Sequence, residues 1–138
     1  MPSIQRPLSG DVMVFQLHEE RERTADPATI QKHGRSARTL LKDGPLRVTL
    51  VVLGPGGELA EHSADGPITV QPLDGSIRFT IGGQSHDVAA GEMLSAGAGL
   101  PHTVQSEAGA AFLLTVALEA GAQGGSGRGG QQAAKADD

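Results

Sequence analysis

From Ser36 onward the chain alternates short apolar runs with clusters of glycine, proline and aspartate. "SARTLLK" is followed by the turn Asp43-Gly44-Pro45 and then by "LRVTLVVL". "GPGG" at 54–57 breaks the chain before "ELAEHSA", and "GPITVQPL" runs to a turn signal at Asp74-Gly75. "SIRFTI" and "QSHDV" flank Gly82-Gly83, the spacing of a two-residue hairpin. "AAGEMLSAGAGLPHTVQS" holds two short strands around a glycine-rich turn, and "AAFLLTVALE" closes the series. Runs of this length, separated by turn residues at this spacing, predict about eight or nine short strands arranged as a sandwich or a closed double-sheet barrel.

The N-terminal part reads differently. Residues 1–10 carry Pro2, Pro7 and few apolar anchors, which predicts a loose arm. "DVMVFQLHEERE" (Asp11 to Glu22) fits either a short strand running into a polar stretch or an irregular helix. The signals over "DPATIQKHG" are more specific. Asp26 stands in the N-cap position, Pro27 in the first helical position, Lys32 and His33 in the last turn, and Gly34 where a left-handed cap closes the end. One short helix is therefore predicted before the strands. The division expected is an arm and helix over 1–35, a barrel over 36–120, and a tail over 121–138. That tail is Gly, Gln and Ala with almost nothing to bury, so disorder is expected there.

Composition narrows the classes. A chain of 138 residues suits one domain. Its only aromatics are Phe15, Phe79 and Phe112, so the core must be built from Val, Leu, Ile and Ala. Twenty glycines and eight prolines favour a turn-rich all-β chain over a helical bundle. The net charge of −5 implies mild self-repulsion in solution. No basic stripe is visible, and there is no Trp or Tyr for bases to stack on, which argues against nucleic acid as a partner. The longest apolar run, "VTLVVL", is far short of a membrane span, and the N-terminus lacks the apolar core of a signal peptide. The expectation is a cytoplasmic protein with no membrane partner. With no cysteine, disulfide, thiolate and zinc-finger chemistry are excluded.

The order of strands and turns resembles the cupin superfamily, in particular its small, single-domain conserved-barrel type. The first cupin motif reads G, five residues, H-x-H, three or four residues, E, six residues, G. Here Gly56, His62, Ser63, Ala64, Ile68 and Gly75 fall on that spacing. The second motif reads G, five residues, P-x-G, two residues, H, three residues, N, and Gly91, Gly97, Ala98, Gly99, His102 and Ser106 fall on it. The resemblance covers roughly residues 36–118. It implies an all-β fold, a double-stranded β-helix or jelly-roll barrel, with the short helix preceding it. It also implies a homodimer in which an N-terminal strand, "SARTLL", is lent to the partner.

The chemistry departs from the family pattern. In metal-binding cupins two histidines and a glutamate from the first motif join the histidine of the second around one ion. This chain keeps His62 and His102 but has Ala64 and Ile68 at the other two ligand positions, with Gly97 and Ser106 where proline and asparagine are usual. Strict alternation along a strand would place Ala60, His62 and Ala64 on one side, with Glu61 and Ser63 on the other. A catalytic zinc commonly has three protein ligands, and a non-haem iron two histidines and a carboxylate. Two histidines alone bind a divalent metal (Zn, Fe, Mn or Ni) weakly. Glu58 and His86 are the candidates for a further ligand, and Gln71 becomes one only if Pro72 marks a bulge.

Three roles for His62 and His102 stay open: polar side chains lining a pocket, metal ligation completed by water or a third group, and metal-free acid–base or hydrogen-bonding chemistry. The pocket expected around them is lined by Ile68, Val70, Phe79 and Leu113. No catalytic residue is assigned. A hydrolase triad is not supported, because Ser63, Ser95 and Ser106 lack a nucleophile-elbow context. The glycine pairs sit at hairpins without a following helix, so no phosphate loop is implied. The favoured reading is a module that binds or senses a small organic ligand. The alternative is a metal-dependent enzyme, of dioxygenase, isomerase or decarboxylase type, with a reduced ligand set.

Overall fold

The computed structural model describes residues 7–118. The expected tail therefore lies outside the described residues. Two short helices, α1 (Leu17–Thr24) and α2 (Pro27–His33), precede eight strands: β1 (Arg35–Asp43), β2 (Leu46–Leu53), β3 (Glu58–His62), β4 (Ile68–Ile81), β5 (Gln84–Ala89), β6 (Leu94–Ala96), β7 (His102–Gln105) and β8 (Ala110–Ala117).

α2 forms as its caps predict. Asp26 accepts from Thr29 N at 3.2 Å, Pro27 opens the helix, and Gly34 takes the left-handed conformation at φ 79 while its N–H bonds to Ile30 O. α1 exceeds the expectation of a single helix. It is polar along most of its length and has no side-chain N-cap. Tertiary contact holds it in place: it packs on β2 and β1, and its buried Glu20 lies 3.9 Å from Arg38 of β1.

All strand pairs are antiparallel, in the order β1-β2-β8-β4-β7-β3, with β5 and β6 also paired to β4. One sheet holds β1, β2, β8, β6 and the first half of β4; the other holds β3, β7, β5 and the second half of β4. Residues 36–41, the segment expected to be lent to a partner, pair with β2 of their own chain.

β4 corrects one expectation. Asp74-Gly75 is no hairpin turn, because the strand runs unbroken through it for 14 residues. The pairing with β8 shifts between Pro72 and Asp74, and this bulge passes the strand from one sheet to the other. Inward positions change from Ile68, Val70 and Pro72 before the bulge to Ile77, Phe79 and Ile81 after it. Gly75 has φ 78, and a Cβ there would sit 2.5 Å from Gly109 O, so the corner requires glycine.

Between the sheets lies one apolar core that includes Val51, Leu53, Ile77, Phe79, Val104, Phe112 and Leu114. Phe79 and Phe112 are essentially fully buried, each contributing on the order of 1.5–3 kcal/mol of apolar transfer free energy. Leu40, Leu50 and Val52 are also buried, but with the parity of the opposite face, the one on which the helices pack.

Candidate functional site

His62 ends β3 and His102 begins β7, and the two residues pair directly across the strands. Strict alternation would not have brought them together. Leu59 pairs with Val104 and both are buried in the core, so an unbroken ladder would set Glu61, not His62, opposite His102. A bulge between Leu59 and His62 inserts one residue into β3 and turns the histidine inward, while Ala60 and Glu61 remain exposed. The expected grouping of Ala60 with His62 is corrected by this bulge.

The two imidazoles are held alike. His62 Nδ1–H donates to Ala60 O at 2.7 Å, and His102 Nδ1–H donates to Leu100 O at 3.1 Å, each to the carbonyl two residues back. A carbonyl oxygen can only accept, so both Nδ1 atoms carry hydrogens and both Nε2 lone pairs turn toward each other. The Nε2 atoms stand 3.0 Å apart. Phe79 stacks on His102, with ring centroids 4.8 Å apart and planes at 23°, and the two imidazoles meet edge to face at 4.3 Å. His102 is only 4% exposed, whereas His62 is half-buried. Desolvation by burial, with repulsion from His62 as a second cause, lowers the His102 pKa below its ordinary value, against a smaller raising effect of the Leu100 carbonyl.

Ile68 and Val70 lie in the same core, as does Phe79. Leu113 does not join them. It pairs with Leu50 and Gln71 on the outer face, while Phe112 and Leu114 on either side of it point in. Glu58, Gln71 and His86 are all exposed, and the bulge in β4 falls after Pro72, which leaves Gln71 outside. Ala64 and Ile68, at the remaining motif positions, are buried among apolar groups. Among the described residues no group of three or more His, Asp or Glu side chains is placed to hold a metal ion. The two imidazole nitrogens are not grouped with a third ligand, which does not fit a three-ligand catalytic ion.

Sequence reasoning missed two side chains at this end. Arg47 and Thr49 of β2 share the inward parity of Val51 and Leu53. Thr49 is 1% exposed and its Oγ1 has no hydrogen-bond partner; Arg47 Nε is likewise buried without one. The signal was present as polar residues at inward positions of "LRVTLVVL". Cavities of about 440 and 520 Å³ lie elsewhere, both near Asp87, Val88 and Glu92.

Comparison with known proteins decides the family. The sequence profile of the cupin domain matches residues 49–117, which span both histidines and all strands from β3 to β8. The chain belongs to the cupin family. A conserved protein of unknown function from Streptococcus pyogenes is 30% identical to this cupin, with a TM-score of 0.59, covering 64% of this chain and 77% of that one. A cupin-2 domain protein from Shewanella frigidimarina matches at 16% identity and a TM-score of 0.62, covering 75% of this chain and 94% of that one. A cupin superfamily protein from Desulfitobacterium hafniense matches at 16% identity and a TM-score of 0.59, covering 62% and 78%. The last two support the jelly-roll fold alone. A search of curated proteins returns no match. No helix among the described residues is long and apolar enough to cross a membrane.

Proposed function

We propose that this cupin is a binding or sensing module for a small organic molecule, held at the end of the barrel where His62 and His102 converge. The observation that carries the reading is the anchored imidazole pair. Both rings are fixed through Nδ1, so their Nε2 atoms form a preset polar spot beside the apolar ring of Phe79. A few convergent polar groups on an apolar surface are the usual composition of a small-molecule site. His62, half-buried, is the ring a ligand meets first, and His102 sits behind it against Phe79.

One observation favours the metal-dependent alternative. Histidines that bind metals characteristically donate their second ring nitrogen to a carbonyl or carboxylate, as both do here. Elemental mass spectrometry on the full chain, His62→Ala and His102→Ala separates the two readings. Metal well below one ion per chain in all three is the expected result. About one ion per chain, lost in both variants, overturns the binding module in favour of a metal site with a further ligand. Concentration must come from amino-acid analysis, because the chain has no Trp or Tyr.

We also propose a homodimer. β1 ends the described strand order, and a terminal strand is of the kind that readily pairs with another chain, though its Lys42 N–H already donates to Leu8 O. Light scattering at the monomer mass would sink this.

A further inference from the structure

Three polar atoms at the histidine end of the barrel are buried without hydrogen-bond partners: Arg47 Nε, Thr49 Oγ1 and Asp65 Oδ2. Their placement follows from the topology. β3 ends at His62 and β7 begins at His102, so the loops 63–67 and 97–101 both lie at this end, and Gly99 N–H donates to Ala64 O across them. β4 starts here at Ile68, which pairs with Val116 of β8, and Val116 pairs in turn with Arg47. The loop 63–67 also rests on the end of β8, where Ala117 N–H donates to Pro67 O. Arg47 and Thr49 thus reach this end from one sheet, and the histidines from the other.

Folded proteins pair nearly all of their buried polar groups, and each exception calls for an account. Three exceptions at one end, two on β2 and one in the loop 63–67, point to a missing partner. That partner must offer acceptors to a guanidinium and a donor to a carboxylate. We propose that this end of the barrel binds a small hydroxy- or amino-carboxylic acid. Its carboxylate lies on Arg47, with the Thr49 hydroxyl beneath, and its neighbouring hydroxyl or amine donates to Asp65. The proposal rests on the reading that the His62–His102 end is a binding site, and it assigns the ligand class.

Lactate, lactamide and propionate test each half separately. Lactamide lacks the charge, and propionate lacks the hydroxyl. Each is titrated into ¹⁵N-labelled full chain while the resonances of His62, His102 and their neighbours are followed by NMR. Lactate should shift them saturably, and both analogues should bind about tenfold more weakly or worse, the range expected for a charge-assisted hydrogen bond. Arg47→Leu should erase the preference for lactate over lactamide, and Asp65→Asn the preference over propionate. Arg47→Lys, which keeps the charge without the fork, should retain part of the first preference, and it guards against a misfolded leucine variant. Equal binding of all three compounds, or preferences unchanged in the variants, overturns the ligand class and leaves the binding module standing. No response to any compound overturns both.

Discussion

The two ends of the barrel each bury a serine or threonine, and they treat it differently. At the end built from the glycine turns, Ser106 is fully satisfied. Its Oγ donates to Ser76 O at 2.7 Å and accepts from Gly109 N at 3.1 Å, while its N–H bonds to Gly57 O and its carbonyl accepts from Gly56 N. At the histidine end, Thr49 is buried as deeply but its hydroxyl has no partner, and neither has Arg47 Nε. A satisfied polar group stitches loops together and contributes to stability. An unsatisfied one costs free energy in the ligand-free fold and is a feature of a site. Ser106 is therefore committed to the fold and Thr49 is not, although Arg35 Nε, at the Ser106 end, is also buried without a partner.

The contrast breaks most visibly at Ser106. Replacing it with alanine removes the hydroxyl from between Ser76 O and Gly109 N and leaves both without that partner. Ser106→Ala should lower unfolding stability by about 1–3 kcal/mol, read from urea denaturation followed by circular dichroism. The His62–His102 pair should keep its NMR signature. A neutral effect on stability would mean that the closed end is not held by this hydroxyl.

Ser106 also shows what could be read from the sequence. It falls on a motif position where the family usually has asparagine, and its role as a loop fastener is not visible in spacing alone. The jelly-roll, α2 with its caps, and the two histidines were all legible, because turn glycines, capping residues and motif spacing are local signals. The remainder depended on long-range pairing. A bulge is a mismatch between two strands, so the one that turns His62 inward cannot be read from β3 by itself. The bulge in β4 did leave a trace, since its apolar positions change from even to odd between Pro72 and Ile77. That trace was hidden by Asp74-Gly75, which imitates a hairpin turn. Leu113 was misplaced for the opposite reason: "AAFLLTVALE" is apolar on both faces, its outer Ala111 and Leu113 standing beside Val52 and Leu50 of β2, and period alone does not choose between Leu113 and Leu114. α1 carries no strong local signal and is fixed by its contacts with β1 and β2.

Acid sharpens the comparison from the histidine side. His102 has a lowered pKa in the fold, first from burial and then from His62, so between its folded value and its ordinary value near 6.5 the unfolded chain binds more protons than the native one. Stability therefore rises with pH through that window. It should be unaffected by this group well above pH 6.5 and should fall on acidification below it, by up to about 1.4 kcal/mol per pH unit. Denaturation midpoints between pH 8 and 5 give the slope. His102→Gln should flatten the curve, whereas Ser106→Ala should shift it down without changing its shape. An unchanged slope in His102→Gln would move the effect to other groups.

The smallest effect expected is at Thr49, and its sign carries the information. Thr49→Val keeps the branched shape and removes only the hydroxyl. If Oγ1 has no partner in the ligand-free protein, that change removes a buried, unsatisfied group and should leave stability unchanged or raise it by up to about 1 kcal/mol. If Oγ1 is bonded, the same change should cost about 1 kcal/mol, as it does for ordinary buried hydrogen bonds. The measurement is the urea midpoint of Thr49→Val beside that of Ser106→Ala under one buffer. Opposite signs mean that the two ends differ in kind, with polar groups committed to the fold at one and held for a ligand at the other. Equal losses mean that both ends are fastened, and the search for a binding site must then leave the barrel.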